Sequence, residues 1–283
     1  MPMKIRISAD STCDLTSELI EQYDVKIAPL YILMDDRALR DGIECTREDI
    51  FAYTSRTGKL CGTAAVSIAD YLDFFGEELR THDQIVHFTI SSDMSACFQN
   101  ACDAAEEFPG RVFVVDSRNL STGIGHLVID GALLAREGKS GEEIKAILDE
   151  RREKLNVSFV IDTLEYLRKG GRCSTVAALG ANLLKLKPCI EVHNGQMGVA
   201  KKYRGAYEKA LRNYVRERLE GNDTLRTHRI MITHTPVDDG IVEMVRDEIL
   251  QYQPFAEILP TDARGTISCH CGPNTLGILY IHK

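Results

Sequence analysis

Ile85-Val86-His87-Phe88-Thr89-Ile90 runs into Ser91-Ser92-Asp93-Met94-Ser95, and the residues beyond take up a helical rhythm. The first run is short, β-rich and largely apolar, as a buried strand requires. Phe98, Ala101, Cys102, Ala105 and Phe108 then recur at helical spacing. A strand therefore enters a hydroxyl-rich turn that opens a helix. Backbone N–H groups and the positive end of the helix dipole point out of such a turn, which favours an anion. Ser91, Ser92 and Ser95 are its candidate ligands, and simple helix capping is the structural alternative.

Working towards the N-terminus, Lys4 to Ala9 reads as a first strand and Asp10-Ser11-Thr12-Cys13-Asp14 as a second polar turn. Asp14 is expected to cap a helix that buries Leu15, Leu19 and Ile20. Ile27 to Met34 is strand-like, with Asp35-Asp36 as its turn. Thr46 should cap a helix over 47–56, and a second helix is expected over 68–79, behind Gly62-Thr63-Ala64-Ala65-Val66-Ser67. Working towards the C-terminus, a third strand spans 111–115 and a helix 120–136. Gly123-x-Gly125 there lacks the third glycine of a dinucleotide fingerprint. Gly138-Lys139-Ser140 lacks the first glycine of a P-loop, and Ser140 with Glu143 reads instead as a capping box. Alternating strands and helices predict a mainly parallel sheet flanked by helices.

From Val157 the pattern changes. A strand over 157–161 precedes a short helix behind Thr163 that stops at Gly170-Gly171. Arg172 follows, Ser174 is expected to cap another helix, and Pro188 to close that region. Asn194-Gly195 between two strand-like runs is a strong hairpin signal. A charged helix over 206–219, a strand over 229–233, a helix over 239–252 and strands at 256–259, 267–271 and 276–281 complete the chain. The expectation is a two-domain α/β protein. Residues 1–157 would form an N-terminal domain with a mainly parallel sheet. Residues 158–283 would form a C-terminal α/β domain with mixed or antiparallel pairing.

The 283 residues carry a net charge of -8, which argues against a general nucleic-acid binder. Any anionic ligand must be held locally. Nine cysteines, a start that runs directly into a strand and no membrane-length apolar run suggest a cytoplasmic protein with reduced thiols. Cys269-His270-Cys271, read as a strand, points its cysteines one way and its histidine the other, so no metal site is expected.

Thr63, Ser91-Ser92, Arg172 and His270 combine polar side chains with strand ends or glycines. Five motifs occur in order: Asp10-Ser11-Thr12-Cys13-Asp14-Leu15; Ile90-Ser91-Ser92-x-x-Ser95; Val115-Asp116-Ser117; Thr163-Leu164-x-x-Leu167-x-x-Gly170-Gly171-Arg172; and His270-x-Gly272-Pro273-x-x-x-Gly277. With them, essentially the whole chain resembles the DegV family of bacterial fatty-acid-binding proteins. The resemblance implies a DegV-like two-domain fold that encloses a long-chain fatty acid, with no cofactor and no metal. It implies a carrier, not an enzyme, that presents the carboxylate to a fatty acid kinase for acyl-phosphate formation in phospholipid synthesis. Carried over, the carboxylate ligands are Thr63, Ser92, Arg172 and His270, with Ser91 and Ser95 as further contacts and Arg204 at the kinase. A cytoplasmic monomer with transient membrane contact goes with that reading. The chain departs from the family in reading Thr63-Ala64-Ala65-Val66-Ser67 where Thr-Ser-Gln-Pro-Ser is usual. It also has Asp93 within the serine turn, which must face away from a bound carboxylate.

The residue types fit this without the resemblance, because hydroxyls, N–H groups and a guanidinium can together desolvate a carboxylate. The alternatives are a hydrolase with Ser92 as nucleophile and His270 as base, or an enzyme acting on a small phosphorylated metabolite. No Gly-x-Ser-x-Gly elbow surrounds any serine.

Overall fold

The computed structural model describes residues 3–173 and 186–283. The first sheet is built from β1 (Ile5–Asp10), β2 (Val25–Ala28), β6 (Gln84–Thr89) and β7 (Val112–Asp116), all parallel, in the order β2-β1-β6-β7. A small antiparallel sheet, β4-β3-β5, joins β3 (Tyr31–Met34), β4 (Arg37–Arg40) and β5 (Gly62–Ala64). The third sheet is mixed. It contains β8 (Leu155–Ile161), β9 (Leu186–His193), β10 (Gln196–Arg204), β11 (Arg229–His234), β12 (Glu257–Asp262) and β13 (Thr275–Ile281), in the order β10-β9-β8-β13-β11-β12. Among the described residues, only its β11–β12 pair is parallel. The mixed α/β class with one parallel and one mixed sheet is as expected. The boundary drawn between residues 157 and 158 falls inside β8, a strand that lies wholly in the mixed sheet.

The helices are α1 (Ser17–Tyr23), α2 (Arg47–Thr57), α3 (Ile68–Glu78), α4 (Cys97–Ala105), α5 (Thr122–Arg136), α6 (Gly141–Arg151), α7 (Glu165–Gly170), α8 (Tyr207–Leu219), α9 (Ile241–Tyr252) and α10 (Gly265–Cys271). Capping boxes start three of them: Thr46 with Asp49, Ser67 with Asp70 and Ser140 with Glu143. Helix α5 is buried almost all round because it packs on β1 and β6 of the parallel sheet and also on β8 and β13 of the mixed sheet. Its glycines allow that approach. A Cβ at Gly123 would lie 2.7 Å from Val157, and one at Gly131 2.8 Å from Phe88. The incomplete dinucleotide pattern is thus a packing feature. Helices α8 and α9 cover the outer face of the mixed sheet with a second apolar core.

Several expectations are corrected. Thr16, not Asp14, caps α1. The strand over 27–34 is two strands, broken at Pro29-Leu30, where the Leu30 N–H donates to Ser11 Oγ at 3.1 Å. Helix α4 begins at Cys97, beyond the serine turn, and Ala96 gives it no side-chain cap. Pro188 lies within β9, opposite Lys202 of β10, one residue past the last pair that β9 makes with β8. Its missing N–H therefore costs the ladder little. Ser174 lies outside the described residues. Residues 267–271 are helical, not a strand.

That helix starts where two buried aspartates meet it. Asp14 Oδ1 accepts from the Arg264 N–H at 2.8 Å. Asp41 accepts from the N–H groups of Gly265 and Thr266, both at 3.0 Å, and from Thr266 Oγ1 at 2.7 Å. Burial pushes the Asp14 carboxyl up to about 8, far above the ordinary 3.8. The folded protein then holds a proton that the unfolded chain releases, so this group makes stability fall as pH rises from about 4 to about 8. In Asp14→Asn the amide would donate to Ser121 Oγ, and its oxygen would still accept from Arg264. The stability of Asp14→Asn relative to wild type should therefore rise between about pH 5 and pH 8 in urea unfolding and level off above that. A constant difference across that range would show that Asp14 is ionised throughout.

Candidate functional site

The cavity beneath α10 has a volume of about 50 Å³, and Thr63, Ser95, Arg172 and His270 contribute its polar lining. Met94, Met197 and Ile267 are among its apolar walls. A second cavity of about 20 Å³ continues between α5 and the mixed sheet, against Val157, Phe159 and Leu279. Leu120, Ile267 and Cys271 border both. The first cavity thus carries Thr63, Ser95, Arg172 and His270, and the side chains of Leu120, Ile267 and Cys271 stand between it and the second, whose lining also includes Ser121, Thr233 and Thr275.

Thr63, on β5, and His270, on α10, share a 2.9 Å hydrogen bond between Oγ1 and Nε2. Burial lowers the His270 pKa to about 4, and the positive charge of Arg172 adds to the effect. The ring is therefore neutral near neutral pH. Its Nδ1 is buried and has no partner among the described residues. Gly170 lies against this atom, where a Cβ would stand 2.3 Å away. Arg172 is exposed at the rim, donates to the Gly170 carbonyl at 2.7 Å and reaches the Met94 carbonyl at 3.5 Å.

The three serines are placed differently. Ser95 lines the cavity, where its Oγ accepts from the Cys97 N–H at 3.3 Å. Ser91 is buried and donates to the Gly195 carbonyl at 2.7 Å. Ser92 is exposed, and both its N–H and its hydroxyl bind Asp116, at 3.2 and 2.6 Å. Neither Ser91 nor Ser92 lines the cavity. Asp93 pairs with Arg118 at 2.7 Å and accepts from Gln196 at 3.3 Å, so its charge is compensated away from the cavity. Ser92 and His270, the nucleophile and base of the hydrolase alternative, instead bind Asp116 and Thr63.

Helix geometry also separates Cys269, His270 and Cys271. Cys269 packs with Ile32, Cys45 and Ile50, while His270 and Cys271 border the cavity. Among the described residues no three His, Cys, Asp or Glu side chains converge as a metal site, and no helix is long and apolar enough to cross a membrane. Sequence reading missed Asp41, which organises α10 although a loop carries it. It also missed Arg118, which joins the serine turn to the β9–β10 hairpin through Asp93 and the Asn194 carbonyl. A run of polar residues that turns back on itself offers no local signal for either role.

The hairpin contact depends on Gly195. Its φ is +82°, and a Cβ there would lie 2.7 Å from both Ser91 Oγ and Asp93 Oδ2. Gly195→Ala should lose at least about 2 kcal/mol in urea unfolding. Gly198→Ala, where a Cβ meets nothing within 4 Å, should lose less. Equal losses would show that the serine turn does not constrain Gly195.

The family model described as "Uncharacterised protein, DegV family" matches residues 4–283. The chain is similar to the solved structure of a fatty-acid-binding DegV family protein from Thermus thermophilus, at 32% identity. That likeness covers 99% of this chain and 100% of the other, with a TM-score of 0.88. A DegV lipid-binding protein from Thermotoga maritima is similar with a TM-score of 0.86 at 26% identity, over 99% of each chain. A fatty acid-binding protein of Thermotoga maritima is 29% identical over 97% of this chain and 96% of its own length. With a family match that runs almost from end to end, this chain belongs to the DegV family.

Proposed function

We propose that this protein binds a long-chain fatty acid, with its carboxylate at Thr63, His270 and Arg172 and its tail along the path into the second cavity. The observation that carries the reading is the union of a polar end with two apolar cavities that share Leu120, Ile267 and Cys271. The fatty-acid and lipid binding of the Thermus and Thermotoga relatives supports it. Thr63 would turn its hydroxyl from His270 to the ligand, and the neutral imidazole would supply an N–H. Arg172 would supply charge at the rim. Among the serines, Ser95 is assigned to the ligand because it lines the cavity. Ser92 and Ser91 are assigned to holding the turn.

The tail provides the affinity. About fourteen methylenes at ~0.8 kcal/mol each amount to roughly 11 kcal/mol before the costs of ordering. The cavities as they stand hold only a few water-sized molecules, so Leu120 and Ile267 would have to swing aside to join them. That demand favours a flexible acyl chain over a rigid ligand.

We further propose that the bound carboxylate is presented to a fatty acid kinase, and that Arg204 touches that partner. Arg204 is exposed at the end of β10, an edge strand that also carries exposed Lys201 and Lys202 on an acidic chain. The protein itself then works as a carrier.

Thr63→Val should weaken palmitate binding by roughly tenfold in a titration of delipidated protein, because one carboxylate oxygen loses a donor. Longer chains should still bind more tightly than shorter ones in that variant. Unchanged affinity would move the carboxylate elsewhere, and loss of the chain-length trend would remove the tail from the apolar path. Arg204→Glu should leave that affinity unchanged and reduce acyl-phosphate formation by the cognate kinase. Unchanged turnover would leave Arg204 as a solvated edge charge.

A further inference from the structure

The hydrogen-bonded pair Thr63–His270 is flanked by two thiols: Cys61 stands two residues before Thr63, and Cys269 immediately precedes His270. Cys61 packs against the small cluster that holds Cys269, and α10 packs directly on β5. Both thiols are free, Cys61 half-buried and Cys269 buried. Cys45 belongs to the same small cluster, where its thiol faces the Thr46 carbonyl at 3.6 Å. The contact with Cys269 holds the Cys61 thiol below its ordinary range, and nearby Lys169 acts in the same direction. Cys269 moves the opposite way, through the same contact and through burial. Cys102, the other half-buried cysteine, is raised by burial. Cys61 is therefore the reachable thiol of the cluster, and Cys269 is a second thiol packed within it.

We propose that hydrogen peroxide oxidises Cys61 and Cys269 to a disulfide that clamps β5 to α10 and weakens carboxylate binding at Thr63 and His270. The Cys61 thiolate attacks one peroxide oxygen, the O–O bond breaks, and the departing hydroxide takes a proton to become water. Cys61 is then a sulfenic acid. Cys269 loses its proton and attacks that sulfur, an S–S bond forms, the S–O bond breaks, and a second water leaves. Two thiols and one peroxide give one disulfide and two waters, with two electrons passing from sulfur to oxygen. The clamp fixes the backbone on both sides of the Thr63–His270 hydrogen bond, so Thr63 can no longer turn towards a ligand. This second effect rests on the reading of the cavity as a fatty-acid site.

The full-length protein would be treated with peroxide, alkylated without reduction, and mapped by mass spectrometry. The expected product has lost two hydrogens and yields one crosslinked peptide pair containing Cys61 and Cys269. In Cys269→Ala, which removes the resolving sulfur, dimedone should label Cys61. A disulfide through Cys45, or Cys61 oxidised to sulfinic acid beside an alkylated Cys269, would overturn the proposal on the wild-type protein alone. Palmitate titration should then show the oxidised form binding roughly tenfold more weakly, the size of one lost hydrogen bond, with recovery on reduction. A mapped disulfide with unchanged affinity would overturn the clamp and leave fatty-acid binding standing. A mapped disulfide with no palmitate binding in either form would overturn the fatty-acid reading and, with it, the effect on affinity, leaving only the disulfide.

Discussion

Two buried aspartate side chains accept from the first N–H groups of α10, and the cavity wall that this helix forms depends on them. The helix has seven residues, too few to persist in water on their own. Asp14 and Asp41 supply the acceptors that its first turn lacks, and Ser11 Oγ donates to Asp41 at 3.0 Å from below. These contacts reach across most of the chain, with Asp41 and Gly265 separated by 224 positions. The helix so fixed brings Ile267, His270 and Cys271 to the cavity wall and sends Cys269 to the other side. A strand at the same place would have pointed His270 away from both cysteines and could not have faced Thr63 in this way.

That contrast explains what the sequence could and could not convey. Local signals are legible: the strand over Ile85 to Thr89, the Ser140–Glu143 capping box and the Asn194-Gly195 turn each need only near neighbours. Helix α10 reads as a strand in the sequence because Ile267-Ser268-Cys269-His270-Cys271 has β-like composition and its caps come from distant loops. Spacing cannot say which serine of the turn faces the cavity. Asp116, 24 residues beyond Ser92, decides that by taking its hydroxyl. The family resemblance brought Thr63, Arg172 and His270 together, although they lie far apart in the chain, and the cavity lining contains all three.

The electrostatics of the site suit a single negative charge. Asp93 and Asp116, the nearest carboxylates of the serine turn, are engaged by Arg118 and by Ser92. His270 is kept neutral by burial and by Arg172, so the site's own positive charge stays at the rim, where water already solvates it. An arriving carboxylate would meet hydroxyl and imidazole donors inside and a guanidinium at the entrance. It would not have to displace an internal ion pair, which in a poorly solvated site is a large saving.

The ties between the two main sheets constrain how such a path can open. On one side of α5, Arg229 is buried and bonded to Asp130 at 2.8 Å and to His126 Nδ1 at 3.2 Å, while His126 Nε2 donates to the Leu279 carbonyl. Parting those groups would strand a buried charge, a cost of about 3–5 kcal/mol. On the other side, the grip on the β9–β10 hairpin is mixed: Ser91 holds it by one buried hydrogen bond, and Arg118 by an ion pair to Asp93 and a hydrogen bond to the Asn194 carbonyl that solvent reaches. Exposed pairs of that kind are worth about 1 kcal/mol or less each. Widening the path between α5 and the mixed sheet therefore costs least at the hairpin. The buried Arg229–Asp130 cluster serves as the fixed side, and the serine turn is placed where movement and ligand would meet.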